Sequence, residues 1–377
     1  MNYRSSILSS TQAIRIIRGF ILAALVLWFG VNRTLAGNAE LGTPPVFTSS
    51  QSVPVTPGWE RAMELARLPA SGPLTVNPQN RAASRAFFNT RYLALDAAIN
   101  WTGDRLHCIA GDTDLSFRDA VLLRLNYFRA MGGVPATVTF SDIYNAMGQQ
   151  AALMMSANAQ LNHNPPDTWT CYSADGALAA SKSNLALGLF GRNAIDAYMK
   201  DSGSGNGFVG HRRWILYPQT QIMGTGDIPP PGWVANALWV IDSHYSDPRP
   251  PTREEFVAWP PPGYVPYQVV YPRWSFSYAG ANFSSASVTM TQGGASVPVA
   301  VETLDNGYGE NTLVWIPLGL GSSQSWPQPL NDTSYLVTIS NIVIGTGTRT
   351  FTYQVTVFDP AAAFPGDISG SLLLLLD

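Results

Sequence analysis

Apolar residues recur at helical spacing in three parts of this chain. The first, LSFRDAVLLRLNYFRAMGG, puts Val121, Leu125 and Phe128 on one face and ends in glycine. The second follows a Ser141 cap and stops at LNHNPP, where two prolines forbid further helix. The third is the short segment AIDAYMKD. These patterns predict three amphipathic α-helices.

Two later segments have different patterns. Trp214, Ile215 and Leu216 form a short continuous apolar run, which is typical of a buried strand. Residues 229–263 concentrate prolines in IPPPGW and PRPPTREEFVAWPPPGYVP. Because proline cannot donate to a sheet ladder, this segment is predicted to be neither helix nor central strand. We interpret it as a connector between two domains.

From residue 264 the apolar period changes to two. Val288 and Met290 alternate with polar residues before a Gly293–Gly294 turn, and the alternation resumes after that turn. Similar segments follow up to about residue 360. The pattern predicts an antiparallel β-sandwich over residues 264–360, with residues 361–377 as a C-terminal tail.

The N-terminus has the composition of an export signal. Arg4, Arg15 and Arg18 precede a 13-residue apolar run and then small residues, so we predict a signal peptide over residues 1–39. An uncleaved N-terminal anchor is the alternative, and both place the remainder outside the cytoplasm, secreted or periplasmic. Residues 40–58 are predicted to be a linker, and residues 59–110 an N-terminal helical extension.

Charge and cysteine content narrow the function classes. Only 12% of the residues are charged, the formal net charge is -3, and no basic stripe is present, so no nucleic-acid partner is expected. The two cysteines, Cys108 and Cys171, are predicted to form a disulfide in an oxidising compartment. Two unrelated buried thiols are the alternative.

Five segments in order resemble the CAP superfamily. They are LNYFRAMGG, LNHNPP, SKSNLALG, AIDAYMKD and GHRRWILYPQTQIMGTG, and they span about residues 115–227. The chain resembles proteins with the SCP-like domain of cysteine-rich secretory and pathogenesis-related class 1 proteins. Among these it is similar to the exported bacterial members. The resemblance implies a three-layer αβα sandwich over residues 111–228. The expected fold class is therefore α+β, with an immunoglobulin-like sandwich following the CAP-like domain.

The resemblance also implies a cleft with two histidines and two acidic residues. The histidines correspond to His163 and His211, and one acidic residue corresponds to Asp201. Ser183 stands at the second acidic position, and Asn184 matches the family's asparagine. In some members the histidines bind a divalent metal, so the resemblance makes His163 and His211 candidate ligands, with zinc as the expected cation.

Each of these residues also has a structural interpretation. The histidines could fasten helix ends to the sheet, and Asp201 could cap a helix or pair with Arg212 or Arg213. Ser183 lacks the sequence of a nucleophile elbow, so a serine triad is not expected. A hydroxyl cannot replace a carboxylate as general base at neutral pH, which weakens any enzymatic interpretation.

The sequence therefore predicts an exported binding protein that is not an enzyme. Its cleft would hold a ligand, with or without a divalent metal, and its β-sandwich would contact an envelope component, a polysaccharide or another protein. Two alternatives stay open at this stage. One is an extracellular, protease-like hydrolase that uses His163 or His211, and the other is a lipid- or sterol-binding protein.

Overall fold

The computed structural model describes residues 39–47, 74–320 and 325–362 of the 377-residue chain. The predicted signal peptide, apart from residue 39, and nearly all of the predicted tail lie outside these residues. Within the described ranges, no helix has the length and apolar character needed to cross a membrane. The α-helices are α1 (Arg81–Phe87), α2 (Leu115–Gly132), α3 (Asp142–Asn158), α4 (Ala174–Lys182), α5 (Gly191–Lys200) and α6 (Gly210–Ile215).

Strands form one sheet in the first half of the fold and two in the second. The first-half strands are β1 (Glu40–Leu41), β2 (Thr139–Phe140), β3 (Ser183–Leu187), β4 (Ile222–Ile228) and β5 (Ala235–Trp239). The second-half strands are β6 (Val257–Trp259), β7 (Gly263–Pro266), β8 (Trp274–Ser277), β9 (Ser287–Gln292), β10 (Ala295–Val297), β11 (Val299–Val301), β12 (Thr312–Pro317), β13 (Thr333–Ile344) and β14 (Gly347–Phe358).

The three helices predicted from periodicity are present as α2, α3 and α5. Helix α2 ends at Gly132, because Gly133 takes the left-handed conformation (φ 78°) that other residues avoid. Helix α3 begins after Ser141, whose side chain accepts the Tyr144 backbone N–H. Helix α4 was not predicted from the sequence.

The first half of the fold is the expected three-layer αβα sandwich. Its sheet has the order β1-β3-β5-β4-β2, with only β2 and β4 parallel. Leu185 and Leu187 of β3 pack on the same side of the sheet as α3 and α4, whereas Ala186 packs with α2, α5 and α6. This alternation gives the sheet two buried faces, as a central layer requires.

The predicted connector and the predicted strand at residues 214–216 have other structures. Strands β5 and β6 both lie inside the predicted connector; β6 is an edge strand of the sandwich, and β5 is the central strand between β3 and β4. Its sequence, ANALW, contains no proline, so the flanking prolines do not interrupt its ladder. Trp214 and Ile215, which were predicted to be in a strand, lie in helix α6. A short buried apolar run is compatible with either structure, so the sequence pattern alone did not distinguish them.

The second half is a β-sandwich, as predicted. One sheet has the order β10-β9-β13-β14-β7 and the other β11-β12-β8-β6. Trp274 and Trp315 of one sheet are fully buried, and Trp274 packs edge-on against Tyr335 of the other. Trp259 and Trp326 are also buried, so they are not available for the stacking on sugars that exposed aromatic residues could provide.

Buried arginines join the two halves. Arg212 of α6 donates to the Arg273 carbonyl (2.9 Å) and to Ser275 Oγ (3.0 Å) in the sandwich. Arg213 donates to the carbonyls of Asp305 and Glu310. Burial lowers the pKa of both arginines to about 10, so they remain charged at neutral pH. These bonds hold the sandwich directly against the helix that carries His211.

The part of the N-terminal extension that the structure describes, residues 74–110, contacts both halves. Helix α1 is its only α-helix, and residues 59–73 lie outside the described residues. Arg81 pairs with Asp332 of the sandwich at 2.8 Å, whereas Phe87 stacks on Tyr127 of α2. The extension therefore packs against the central fold rather than forming a separate cap.

The predicted disulfide is present. Cys108 and Cys171 are bonded and close a loop of 63 residues, which ties the end of the N-terminal extension to the segment between α3 and α4.

We predict that Cys108→Ser lowers the free energy of unfolding by about 4 kcal/mol, because a closed loop of this length restricts the unfolded chain. Urea unfolding followed by far-UV circular dichroism measures the change. Wild type in reducing agent is the matched control and should reach the stability of the variant. Equal stability of wild type with and without reductant would contradict this role.

Candidate functional site

The Asp201 carboxylate organises the candidate site. Asp201 follows α5 in the left-handed conformation (φ 53°) and is fully buried. Its Oδ2 accepts the backbone N–H groups of His211 (2.9 Å) and Arg212 (3.2 Å), which are among the free donors at the start of α6. Its Oδ1 accepts the Nδ1–H of the His211 ring at 2.8 Å. The carboxylate therefore caps one helix and orients one imidazole.

The His211 ring is fixed on two sides. Because Nδ1 donates to Asp201, Nε2 is the remaining ring nitrogen, and it has no hydrogen-bond partner among the described residues. The ring stacks on Tyr198, with centroids 5.5 Å apart. The Tyr198 hydroxyl donates to the carbonyl of Asn184 at 3.0 Å, which links this stack to β3.

The junction of α4 and β3 brings three more buried polar residues to the site. Asn184 donates from Nδ2 to the His211 carbonyl at 3.1 Å, so the start of β3 lies against α6. Lys182 Nζ, Ser183 Oγ and Asn184 Oδ1 have no hydrogen-bond partner in the described part of the chain. A buried polar atom without a partner costs about 1–3 kcal/mol, so each of these three atoms, like His211 Nε2, would be stabilised by a polar partner such as water or a ligand.

His163 lies after α3 and contacts two backbone carbonyls. Its Nδ1 is 2.6 Å from the Ala180 oxygen, and its Nε2 is 2.6 Å from the Thr43 oxygen. Burial lowers the pKa of His163, the carbonyl contacts oppose this shift, and the charge of nearby His211 adds to it. We call residues 163, 182–184, 201 and 211 the cleft residues.

Residues 40–47, which we call the strap, run along the cleft. Strand β1 pairs antiparallel with β3, and Gly42 N–H continues the pairing by donating to the Leu185 carbonyl at 3.2 Å. Farther along, the Pro45 carbonyl accepts the Trp214 indole N–H at 2.8 Å. The sequence predicted a linker here, so this position of residues 40–47 is a correction to that prediction.

A cavity of about 430 Å³ lies beside the strap and opens to solvent. Its walls come from the strap, from the segment around His163 and from the α4–β3 junction, where Ser181 and Leu185 contribute. His163 lines this cavity, whereas His211 does not. The two histidines therefore belong to one region of the fold, but only His163 borders the open space.

The structure thus brings together His211, Asp201 and Asn184 in direct contact, with His163 nearby. Asp201 does not pair with the side chains of Arg212 or Arg213, because the Arg212 backbone N–H, and not its guanidinium, reaches the carboxylate. Lys182 was missed by sequence reasoning, since one lysine at a helix end carries no distinguishing pattern. The burial of Lys182 follows from the position of β3 in the sheet, which the sequence alone does not give.

The predicted zinc site would need a different contact at His163. Both of its ring nitrogens face carbonyl oxygens at 2.6 Å, so in this arrangement neither nitrogen is open to a cation. Within the described ranges, no group of three or more His, Cys, Asp or Glu residues is arranged to hold a metal. Zinc binding by His163 and His211 stays a prediction, and it requires one of the two carbonyl contacts to open.

A sequence model of the CAP, or cysteine-rich secretory protein, family matches residues 122–242. No curated protein matches the sequence. Solved structures similar to part of the chain include PcoC, a methionine-rich copper resistance protein from Escherichia coli, and its selenomethionine form. Each is 17% identical to this chain and has a TM-score of 0.20. The alignments cover 26% of this chain, and they cover 92% of PcoC and 94% of its selenomethionine form. At that score the likeness carries no conclusion about this protein.

We predict that Asp201→Ala lowers the free energy of unfolding by about 3 kcal/mol, since it leaves two N–H groups and a buried imidazole without their acceptor. Thermal unfolding measures the loss. Asp175→Ala, at an exposed position in the first turn of α4, is the control and should cost less than about 1 kcal/mol. Similar losses in the two variants would show that the Asp201 contacts are not special.

We predict that His163 makes the protein less stable as the pH falls. Because its folded pKa is lower than the ordinary value of 6.5, the unfolded chain binds more protons between the two values. The stabilising contribution is therefore present above pH 6.5 and is lost as the pH falls through the folded pKa. Urea unfolding of wild type and His163→Asn between about pH 5 and 8 measures the difference. A difference that does not change with pH would contradict this assignment.

Proposed function

Residues 122–242 of the chain are a domain of the CAP family, and from this premise we propose that the protein works outside the cytoplasm as a binding protein rather than as an enzyme. The cleft residues are its ligand-binding site. The β-sandwich holds that site in a fixed orientation and contacts a component of the cell envelope.

One observation carries the proposal: the cleft has an oriented histidine but no reactive partner for it. His211 is held by Asp201 as the histidine of a catalytic triad would be, yet its Nε2 has no hydrogen bond to Ser183 Oγ or to any other described atom. A nucleophile and its base need a direct contact of about 2.6–3.2 Å. The cleft therefore has donors and acceptors for a ligand without an assembled nucleophile.

Hydrolysis by activated water is disfavoured by Ser183. The resemblance to the CAP family puts an acidic residue at this position, and here the side chain is a buried hydroxyl. A hydroxyl of ordinary acidity does not accept a proton from water at neutral pH. A lone imidazole would have to act as base without a second carboxylate in the cleft.

Action outside the cytoplasm is supported by the disulfide and by the predicted signal peptide. The bond between Cys108 and Cys171 is typical of chains that fold in an oxidising compartment. Arg212 and Arg213 fix the sandwich to the helix of the cleft, so an envelope contact made by the sandwich would leave the cleft in a fixed orientation. A ligand in the cleft would therefore be held at a constant distance from the envelope surface.

We predict that the purified full chain shows no turnover above the buffer blank on a broad panel of peptide and ester substrates. The reason is the missing partner at His211 Nε2. Assays of wild type and His211→Gln in parallel, with and without added zinc, measure this. Turnover by wild type that His211→Gln abolishes would overturn the non-enzymatic proposal, whereas turnover equal in both proteins indicates a contaminant.

A further inference from the structure

The strap contacts the CAP domain mainly through its main chain. Strand β1 adds to the free edge of β3, with Glu40 opposite Leu187 and Leu41 opposite Ala186. Beyond β1, the Thr43 carbonyl lies 2.6 Å from His163 Nε2, and the Pro45 carbonyl accepts the Trp214 indole N–H. This is β-strand addition, one mode by which extended peptides are bound, in which main-chain bonds give affinity and side-chain pockets give selectivity.

The side-chain contacts of the strap select for proline. Pro44 and Pro45 are buried, and because proline has no N–H, neither leaves an unpaired donor there. The surface below them is shaped for a ring, since a Cβ added to Gly210 would lie 2.3 Å from Pro44 Cγ. Phe47 then stacks on Tyr245 with centroids 3.8 Å apart.

Phe47 of the strap covers Lys182 without giving it a hydrogen-bond acceptor. Lys182 Nζ faces the Phe47 ring at 5.6 Å from its centroid and has no hydrogen bond in the described residues. An occupant that leaves such atoms unpaired binds less tightly than one that pairs them. The strap is therefore a weaker ligand than the groove can accommodate.

We propose that the groove along β3 is a binding site for an extended, proline-containing segment of a second polypeptide, and that the strap occupies this groove as an intramolecular competitor. The incoming segment would pair with β3, place a Pro–Pro pair against Gly210 and Trp214, and offer acceptors to Lys182. This inference rests on the proposed function, because it names the ligand class of the same cleft.

A peptide that copies the strap tests the proposal. A fluorescently labelled LGTPPVF, the sequence of residues 41–47, is titrated with the full-length chain and followed by fluorescence anisotropy. In wild type the strap competes at an effective concentration of about millimolar, so the peptide binds weakly. Pro44→Ser weakens the strap and leaves the groove intact, so the peptide should bind at least about 10-fold more tightly to this variant.

Two controls accompany the titration. Pro251→Ser makes the same substitution at an exposed proline outside the strap, and it should match wild type. A peptide of scrambled sequence should bind neither protein. If the copied peptide binds folded Pro44→Ser no more tightly than wild type, the strap is not an exchangeable ligand and the proposal is wrong. If wild type forms dimers that the peptide dissociates, the second polypeptide is another copy of this chain, which supports the proposal.

A second measurement uses the wild-type chain and needs no variant. Trp214 and Trp239 are both fully buried, and each donates its indole N–H to a backbone carbonyl at 2.8 Å. The acceptor of Trp214 belongs to the strap, whereas the acceptor of Trp239 is Ile241, two residues away. If the strap opens locally, the Trp214 indole hydrogen exchanges with solvent at least about 10-fold faster than that of Trp239, as measured by NMR.

Equal exchange at the two indoles would mean that the strap leaves the groove only when the domain unfolds, and this would overturn the proposal. Failure of the strap to exchange is distinguishable from failure of the proposed function. Turnover that depends on His211 would refute the binding function, whereas the titration and the exchange rates report only on the strap. The two experiments therefore test separate statements about one cleft.

Discussion

The structure of the cleft depends on one buried carboxylate. Asp201 accepts two N–H groups at the start of α6 and the ring N–H of His211, and its own carbonyl accepts from Arg273 of the sandwich. One residue therefore sets the position of the helix, the orientation of the imidazole and part of the domain contact. Removing the carboxylate would leave several buried donors without an acceptor, so a change at this site would also destabilise the fold.

The same geometry explains why an oriented histidine need not indicate catalysis. Asp201 and His211 reproduce the pair that activates a nucleophile in hydrolases, but the third group is absent from hydrogen-bond distance. Ser183 is buried, and its hydroxyl bonds to none of the described residues. The pair fixes the start of α6 and the orientation of the imidazole, and we propose that it forms one wall of the binding cleft.

Sequence reasoning predicted the parts of this fold that rest on side-chain periodicity. Helix α2 and the β-sandwich follow from apolar residues at periods of 3.6 and two, and the disulfide follows from an isolated pair of cysteines. The proximity of His211 to Asp201 could be expected only from the resemblance to a family, because nothing local relates residues ten positions apart across a loop.

The features that sequence reasoning missed are held by main-chain contacts or by tertiary packing. The apolar run at residues 214–216 is compatible with a buried strand or a buried helix. The helix is stabilised by the Asp201 carboxylate, which accepts the His211 backbone N–H at the start of α6. Strand β5 was hidden by the prolines on either side of it. The strap binds through carbonyls and N–H groups that every residue has, so composition alone suggested a linker.

The most direct test of this account is the protonation site of the His211 ring, read from long-range proton–nitrogen NMR spectra of the labelled chain at neutral pH. If Asp201 orients the ring as described, Nδ1 carries a proton and its signal shifts in Asp201→Asn. A His211 ring that carries its only proton on Nε2 would contradict the account, because Nδ1 could not then donate to the carboxylate that organises the cleft.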